Sequence, residues 1–137
     1  MTDTPQRPAP RPAGSAEPYW DAASEDRITV PYCGECGHIA QYGQPFCEVC
    51  LAAPVCWRQV PGTGRIHSFT VVRRSRDPFF AGRVPYVVAI VELDAGVRLL
   101  TGIVGADPGD VRIDMPVRVC FEKTGSGPVP LFEPATG

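Results

Sequence analysis

The sequence contains no long apolar run. None of its 137 residues lies in an apolar stretch close to the roughly 18 residues that would suggest a membrane-spanning helix. The chain starts Met-Thr-Asp-Thr-Pro-Gln-Arg-Pro, which lacks the apolar core of a secretory signal. We therefore expect a cytoplasmic protein.

An excess of positive charge is also missing. The 13 Lys and Arg residues are outnumbered by 15 Asp and Glu residues, and the formal net charge is −2. A protein that binds the phosphate backbone of nucleic acids is expected to be basic, so this balance argues against that class. The apolar fraction of 44% is ordinary for a globular protein and excludes a fully disordered chain.

Histidine is scarce, which limits the catalytic chemistry that the chain can support. The sequence has two histidines. We expect His38 to be exposed beside the first cysteine pair and His67 to be a side chain on a strand. Neither forms a convincing nucleophile–base pair with a cysteine. The sequence therefore predicts no catalytic residue.

Cysteine, by contrast, is abundant, with six residues in a short chain. Disulfides need an oxidising compartment, and without a signal peptide metal binding is the better interpretation. Cys33, Cys36, Cys47 and Cys50 follow the pattern C-x2-C-x10-C-x2-C. Two such knuckles can close a tetrahedron of four thiolates and leave no open position for water or substrate. The pattern predicts one structural Zn²⁺, with iron as the alternative ion and buried or disulfide-bonded cysteines as the alternative to a metal.

Residues around the cysteine pairs refine this prediction. Gly37 can supply the positive φ that a knuckle often needs, whereas Leu51 occupies the equivalent place after the second knuckle. Cys56 and Cys120 fall outside the pattern, and we expect both to be small apolar core residues. The ribbon segment has too few apolar residues to fold by itself, so the ion would supply its folding free energy.

The N-terminal part divides into two segments. Residues 1–16 hold four prolines among small and polar residues, which predicts a disordered tail with nothing to pack. Residues 17–27 predict a short amphipathic helical arm, because Pro18 suits a first helical turn and Tyr19, Trp20 and Ala23 share a face. The two aromatic side chains either pack on the chain's own ribbon or barrel, or dock on a partner.

The rest of the chain is mainly β. Residues 28–56 form the predicted zinc ribbon, and residues 57–137 form a barrel domain of about five strands without a long helix. The strongest strand signal follows Pro85, and residues 117–122 alternate between apolar and polar positions. From these patterns alone, an OB-fold and an SH3-like barrel both remain possible.

The ordered set of these segments resembles the DUF35 family of bacteria and archaea. That family joins an N-terminal helical arm and a rubredoxin-like zinc ribbon to a five-stranded OB-fold barrel. Two departures are visible, Leu51 after the second knuckle and Asp114 before Met115, both where the family usually has glycine. The resemblance covers nearly all of residues 17–134, and its matching text is Pro18-Tyr19-Trp20-Asp21, the two cysteine pairs, residues 62–72, residues 84–93 and Met115-Pro116-Val117.

The resemblance implies a non-catalytic partner role. DUF35 proteins accompany thiolase-like enzymes of acyl-CoA and lipid metabolism, among them thiolases and the aldolases of steroid side-chain degradation. The implied function is to stabilise such an enzyme on a separate chain, as a hetero-oligomer, and to shape its CoA or acyl channel, with a CoA thioester at the shared interface. The alternatives are a nucleic-acid-binding OB-fold protein and an independent CoA-thioester enzyme.

A locally basic segment with two adjacent phenylalanines is the candidate contact surface within the barrel. It reads as an apolar loop rimmed by arginines, which can receive a CoA phosphate or an acidic partner surface. The alternative is that the arginines solvate a strand edge and the phenylalanines cover the barrel end. Together with the helical arm, the candidate contact residues are Tyr19, Trp20, Arg73, Arg74, Arg76, Phe79, Phe80 and Arg83.

Overall fold

The structure, a computed structural model, describes residues 7–8, 16–42, 44–51, 54–124 and 127–135. Within them, a helical arm and a two-stranded sheet precede a closed five-stranded barrel. No helix among the described residues has the length and apolar character needed to span a membrane. The predicted disordered tail lies outside the described residues except at Arg7, Pro8 and Ala16.

The arm and the first two strands form the ribbon end of the molecule. Helix α1 spans Glu17–Ala23, with Pro18 in its first turn as the sequence predicts. Strand β1 spans Ile28–Cys33, strand β2 spans Val55–Val60, and they pair antiparallel from Ile28 opposite Val60 to Cys33 opposite Val55. The cysteine segment therefore leaves from the end of one strand and returns at the start of the other.

The barrel consists of the five strands that follow. They are β3 (Thr63–Val72), β4 (Tyr86–Leu93), β5 (Arg98–Ile103), β6 (Pro116–Thr124) and β7 (Gly127–Pro134), with the short helix α2 (Pro78–Ala81) between β3 and β4. The barrel closes in the order β3-β4-β5-β7-β6, and β5 pairs with β7 in parallel while the other neighbours are antiparallel. This non-sequential Greek-key order is that of an OB-fold, which resolves the choice that the sequence left open.

Alternation of side chains along the strands places the core inside this barrel. In β4 the residues Val87, Ala89, Val91 and Leu93 are buried and their neighbours are more exposed. They pack with side chains from other strands, among which Phe132 is fully buried. The same core includes Ile28 and Val30 of β1, whereas the cysteine loops of the ribbon expose Phe46, Val49 and Leu51.

Gly96, Asp114 and Leu51 have positive φ at turns that the sequence indicates. Gly96 has φ of 103° in the β4–β5 turn, and Asp114 has φ of 65° just before β6. Leu51 has φ of 58° after the second knuckle. Both non-glycine residues adopt the left-handed conformation in which the family usually has glycine, so neither departure alters the local path of the chain.

Two expectations about cysteines and strands are corrected by the structure. Cys56 is exposed and Cys120 is only partly buried, so neither is a core residue. Strand β2 pairs with β1 and takes no part in the barrel, although the predicted barrel domain begins at residue 57. The pairing of β2 is set by a distant strand and cannot be read from its own apolar pattern.

Candidate metal centre and partner-contact face

The structure brings the four patterned cysteines together at the tip of the ribbon. The Sγ atoms of Cys33, Cys36, Cys47 and Cys50 all lie within 4.8 Å of one another. The Cys33–Cys50 and Cys36–Cys47 sulfur pairs are each 3.6 Å apart. A tetrahedral ion with metal–sulfur bonds of about 2.3 Å would separate its sulfurs by about 3.8 Å. The cluster therefore has the donor set and spacing for one metal ion.

Each knuckle is held by the same backbone contacts. The N–H of Gly37 donates to the carbonyl of Cys33 over 2.9 Å, and the N–H of Leu51 donates to the carbonyl of Cys47 over 3.1 Å. Gly37 has φ of 77°, close to the value of Leu51. The two knuckles are thus equivalent, and Leu51 fills the glycine role of the second one.

Backbone N–H groups also stabilise the thiolate form of the first cysteine in each knuckle. The N–H groups of Cys36 and Glu35 donate to Cys33 Sγ, and the N–H of Cys50 donates to Cys47 Sγ over 3.4 Å. These contacts lower the pKa of Cys33, and they lower the pKa of Cys47 to about 6. At Cys36 the N–H of His38 lowers the pKa, but the Cys47 sulfur and burial outweigh it and raise the pKa to about 11. The backbone therefore favours the metal-ligating thiolate at the first position of each knuckle.

His38 links the two knuckles through a side-chain contact with Glu48. Its Nε2 lies 3.1 Å from Glu48 Oε1, and both residues sit in the loops that carry the cysteines. His67 is far along the chain, exposed at a bulge in β3 where the register shifts between Ile66 and Ser68. The structure therefore gives His38 a place in the ribbon and leaves His67 on the barrel surface.

The aromatic residues of the arm pack against the ribbon. The ring of Tyr19 meets those of Trp20 and Tyr42 edge-on, at 5.1 and 5.0 Å between centroids, and Tyr42 reaches Trp57 at 6.1 Å. The hydroxyl of Tyr42 donates to the carbonyl of Thr29 over 2.7 Å. Burial raises the pKa of Tyr19 to about 12 and also raises that of Tyr42. Trp20 keeps a partly exposed face beside this cluster.

The two adjacent phenylalanines lie on a short helix, not on the exposed loop that the sequence suggested. Asp77 caps α2 by accepting from the N–H groups of Phe79 and Phe80. The Phe80 ring packs on Phe79 and on Tyr86, at 5.0 and 5.2 Å between centroids. Both phenylalanines are half-buried, because the strong cap and Pro78 fold the segment back on the barrel.

Two arginines cover these rings and share one carboxylate. Arg83 lies 4.1 Å from the Phe79 centroid and pairs with Glu122 Oε1 at 3.0 Å. Arg7 lies 5.0 and 5.3 Å from the Phe79 and Phe80 centroids and pairs with Glu122 Oε2 at 3.0 Å. Arg7 belongs to the segment predicted to have nothing to pack, so at this position the expectation is wrong. No local pattern marks Arg7, because its partners lie more than 70 residues away in the sequence.

The remaining arginines of the predicted contact set stand apart from this cluster. Arg73, Arg74 and Arg76 follow the end of β3 and are exposed, and among the described residues none of the three forms an ion pair. Their charges are therefore available at the surface beside α2. The structure places them next to Phe79, Phe80 and Arg83 in sequence but shows no contact that ties them to these residues.

Two neighbouring cavities run along this side of the molecule. One, of about 250 Å³, is lined by Phe80, Arg83 and Tyr86 among others. The second, of about 450 Å³, reaches Tyr19 and Trp20 on the arm. The residues that line both cavities are Arg7, Leu100, Thr101, Gly102 and Leu131. Leu100 is 73% exposed there, which leaves a large apolar side chain open to solvent between the arm and α2.

Comparison with known proteins connects the fold to a family. A family model described as the ChsH2 C-terminal OB-fold domain matches residues 57–122. The chain is 35% identical over 97 residues to a DUF35 domain-containing scaffold protein of Methanothermobacter thermautotrophicus, with coverage of 70% of this chain and 72% of that protein. It is 34% identical over 129 residues to a probable enoyl-CoA hydratase alpha subunit of Thermomonospora curvata. That alignment covers 92% of this chain but only 40% of the hydratase subunit.

A solved structure matches nearly all of the chain. A chain of the Ltp2-ChsH2(DUF35) aldolase superposes with a TM-score of 0.84 at 31% sequence identity. The match covers 95% of this chain and 100% of that chain. It therefore includes the arm and the ribbon as well as the barrel.

Proposed function

This chain belongs to the DUF35 family, and on that premise we propose that it is a non-catalytic subunit of an acyl-CoA enzyme complex. The catalytic partner is a thiolase-fold enzyme on a separate chain, of the thiolase or steroid side-chain aldolase type. The DUF35 chain stabilises this enzyme and shapes its CoA or acyl channel. The complex is cytoplasmic, where thiols stay reduced and available for metal.

The nearly full-length match to the Ltp2-ChsH2(DUF35) aldolase chain is the observation that carries this proposal. At 31% identity and a TM-score of 0.84, the arm, ribbon and barrel of the two chains correspond as one unit. The same unit therefore offers a partner the same set of surfaces. The chemistry of the described residues also supports a non-catalytic role, since His38 is engaged by Glu48 and the four patterned cysteines are gathered into one closed cluster.

The metal in this proposal is a single structural Zn²⁺ bound by Cys33, Cys36, Cys47 and Cys50. Four thiolates at tetrahedral spacing are a donor set that zinc prefers. With every position filled by sulfur, the ion would supply no Lewis-acid chemistry to a substrate. Its role is to hold the knuckles together, because the ribbon loops expose Phe46, Val49 and Leu51 instead of burying them.

The partner contact is centred on α2 and the cleft beside it. Phe79 and Phe80 provide apolar area, and Arg83 lies over the Phe79 ring. The exposed charges of Arg73, Arg74 and Arg76 lie on the segment that leads into α2. Charges on the rim of an interface mainly steer association and fix orientation. Tyr19 and Trp20 lie at the arm end of the same side. A CoA thioester at the shared interface would find apolar walls and guanidinium groups here.

Co-purification and activity assays test the proposal. The tagged chain, expressed in its native host, should retain a thiolase-fold enzyme that mass spectrometry identifies. The purified chain alone should not turn over acyl-CoA thioesters, whereas adding it to that enzyme should raise the enzyme's activity or its yield of soluble protein. Robust thioester chemistry by the chain alone would refute the non-catalytic role. Recovery of nucleic acid in place of an enzyme would refute the role as an enzyme's subunit.

The similarity to a hydratase subunit gives a second candidate for the catalytic partner. The Thermomonospora curvata relative is a probable enoyl-CoA hydratase alpha subunit, and this chain spans only 40% of its length. The reconstituted complex should therefore be assayed for hydration of enoyl-CoA as well as for carbon–carbon bond cleavage. Hydration without cleavage would favour a hydratase partner over an aldolase.

A further inference from the structure

The arm and α2 lie at the two ends of one continuous depression. The cavity at α2 and the cavity at the arm share five lining residues, and Arg7 is the one among them that comes from outside the barrel. The other four belong to β5 and β7, which form the floor. Removing the Arg7 side chain would therefore leave a single cleft over that floor, with Phe80 at one end and Trp20 at the other.

The contacts that hold Arg7 over the cleft are weak enough to be broken. Its guanidinium pairs with Glu122, and its side chain is 14% exposed. Its Nε is buried without a hydrogen-bond partner among the described residues. A buried donor that lacks a partner regains a hydrogen bond when it returns to water, so this defect favours release.

Opening would also leave Glu122 paired. The second carboxylate oxygen of Glu122 already accepts from Arg83 at 3.0 Å. Arg83 also remains over the Phe79 ring when Arg7 leaves. The contacts that Arg7 gives up are one ion pair, whose side chains are 14% and 25% exposed, and two cation–π contacts. The hydration that the guanidinium regains in water offsets much of their loss. The closed arrangement is thus favoured slightly and can be reversed by a competing partner.

We propose that this cleft is one binding surface for the partner enzyme and that Arg7 is a latch that closes it in the free chain. The proposal rests on the function proposed above. Once Arg7 leaves, Arg83 balances Glu122. The uncompensated positive charges beside α2 are then those of Arg73, Arg74 and Arg76, so the occupant that fits is an apolar segment of the enzyme flanked by an acidic residue. Binding displaces Arg7 from the phenylalanines and joins the two ends of the cleft.

Tryptophan fluorescence tests the latch without any partner. The chain has two tryptophans, and a Trp57→Phe background leaves Trp20 as the reporter at the arm end of the cleft. Arg7→Ala should increase quenching of Trp20 by acrylamide, because the cleft beside it opens. Arg11→Ala, which removes the same charge from the same segment, should not. Equal quenching in Arg7→Ala and the parent would overturn closure in the free chain.

Binding to the enzyme identified by co-purification tests the competition. A latch that is closed in most molecules lowers the apparent affinity by the fraction that is open, so Arg7→Ala should bind about fivefold more tightly. Arg11→Ala should bind like the parent. Unchanged or weaker binding of Arg7→Ala would overturn the latch, since Arg7 would then be a bystander or a direct contact.

Two further variants test the single surface. Phe80→Ala and Trp20→Ala should each weaken binding, and an effect of only one of them would overturn the single cleft. If neither the parent nor Arg7→Ala binds any thiolase-fold enzyme, the proposed function fails. In that case the quenching experiment still decides whether Arg7 closes the cleft.

Discussion

Replacing Phe80 by alanine should weaken binding of the partner enzyme by roughly four- to twelvefold. Full burial of a phenylalanine side chain contributes about 1.5 to 3 kcal/mol relative to leaving it exposed. Phe80 is already half-buried in the free chain, where Phe79 and Tyr86 cover part of its ring. About half of that free energy, or roughly 0.8 to 1.5 kcal/mol, therefore remains to be gained on binding, which corresponds to a factor of roughly 4 to 12 in affinity.

Titration calorimetry or surface plasmon resonance with the purified enzyme would measure this change. Phe46→Ala is the matched control, because it removes the same kind of side chain from a site on the ribbon, away from α2. Phe46 is 58% exposed there. Phe80→Ala should also be measured in an Arg7→Ala background. Phe80 contacts Arg7, so its loss loosens the latch and masks part of the effect in the parent chain.

Two results would refute the reasoning. Binding of Phe80→Ala within twofold of the parent in both backgrounds would place the contact elsewhere on the surface. A large loss that is matched by unfolding would make the effect structural, so the melting temperature and the metal content of each variant must be recorded. We expect both to stay close to the parent values, because α2 keeps its Asp77 cap and the metal cluster is on the ribbon.

Three further predictions concern the ribbon, the barrel and the arm. Cys36→Ser should reduce bound zinc well below one equivalent and unfold the ribbon, whereas Cys56→Ser, at an exposed cysteine outside the cluster, should retain the metal in elemental analysis. Gly64→Ala should lower the free energy of unfolding by about 2 kcal/mol in urea titration, because its Cβ would overlap the carbonyl oxygen of Glu92 in β4. Gly109→Ala should be nearly neutral, since nothing lies within 4 Å of the Cβ that it would add. The pKa of Tyr19 is raised to about 12 in the folded chain, because burial disfavours the charged phenolate. The contribution of the buried tyrosine to the free energy of unfolding should therefore be complete below pH 10 and be lost as pH rises toward 12. Tyr19→Phe should flatten that alkaline decline, and an unchanged pH profile would show that the tyrosine is not protected by burial.

The sequence by itself determined the features that depend on local spacing. The C-x2-C-x10-C-x2-C pattern predicted the four-sulfur cluster, because each knuckle is a short turn whose geometry is set within five residues. Alternation along residues 86–93 predicted a strand with one buried face, and β4 has that pattern. The resemblance to the DUF35 family also marked Leu51 and Asp114 as positions where glycine is usual, and both adopt the left-handed conformation.

Only the tertiary structure decided which distant groups meet. The pairing of β2 with β1 depends on a strand more than 20 residues away, and the phenylalanines of α2 are covered in part by the distant Arg7. Arg7 is the clearest case, since it sits among prolines in a segment without apolar periodicity and yet pairs with Glu122, 115 residues away. A single long side chain with a fixed charge can find such a partner without leaving any periodic signal, because its contact is set by where the folded barrel places one carboxylate and two rings.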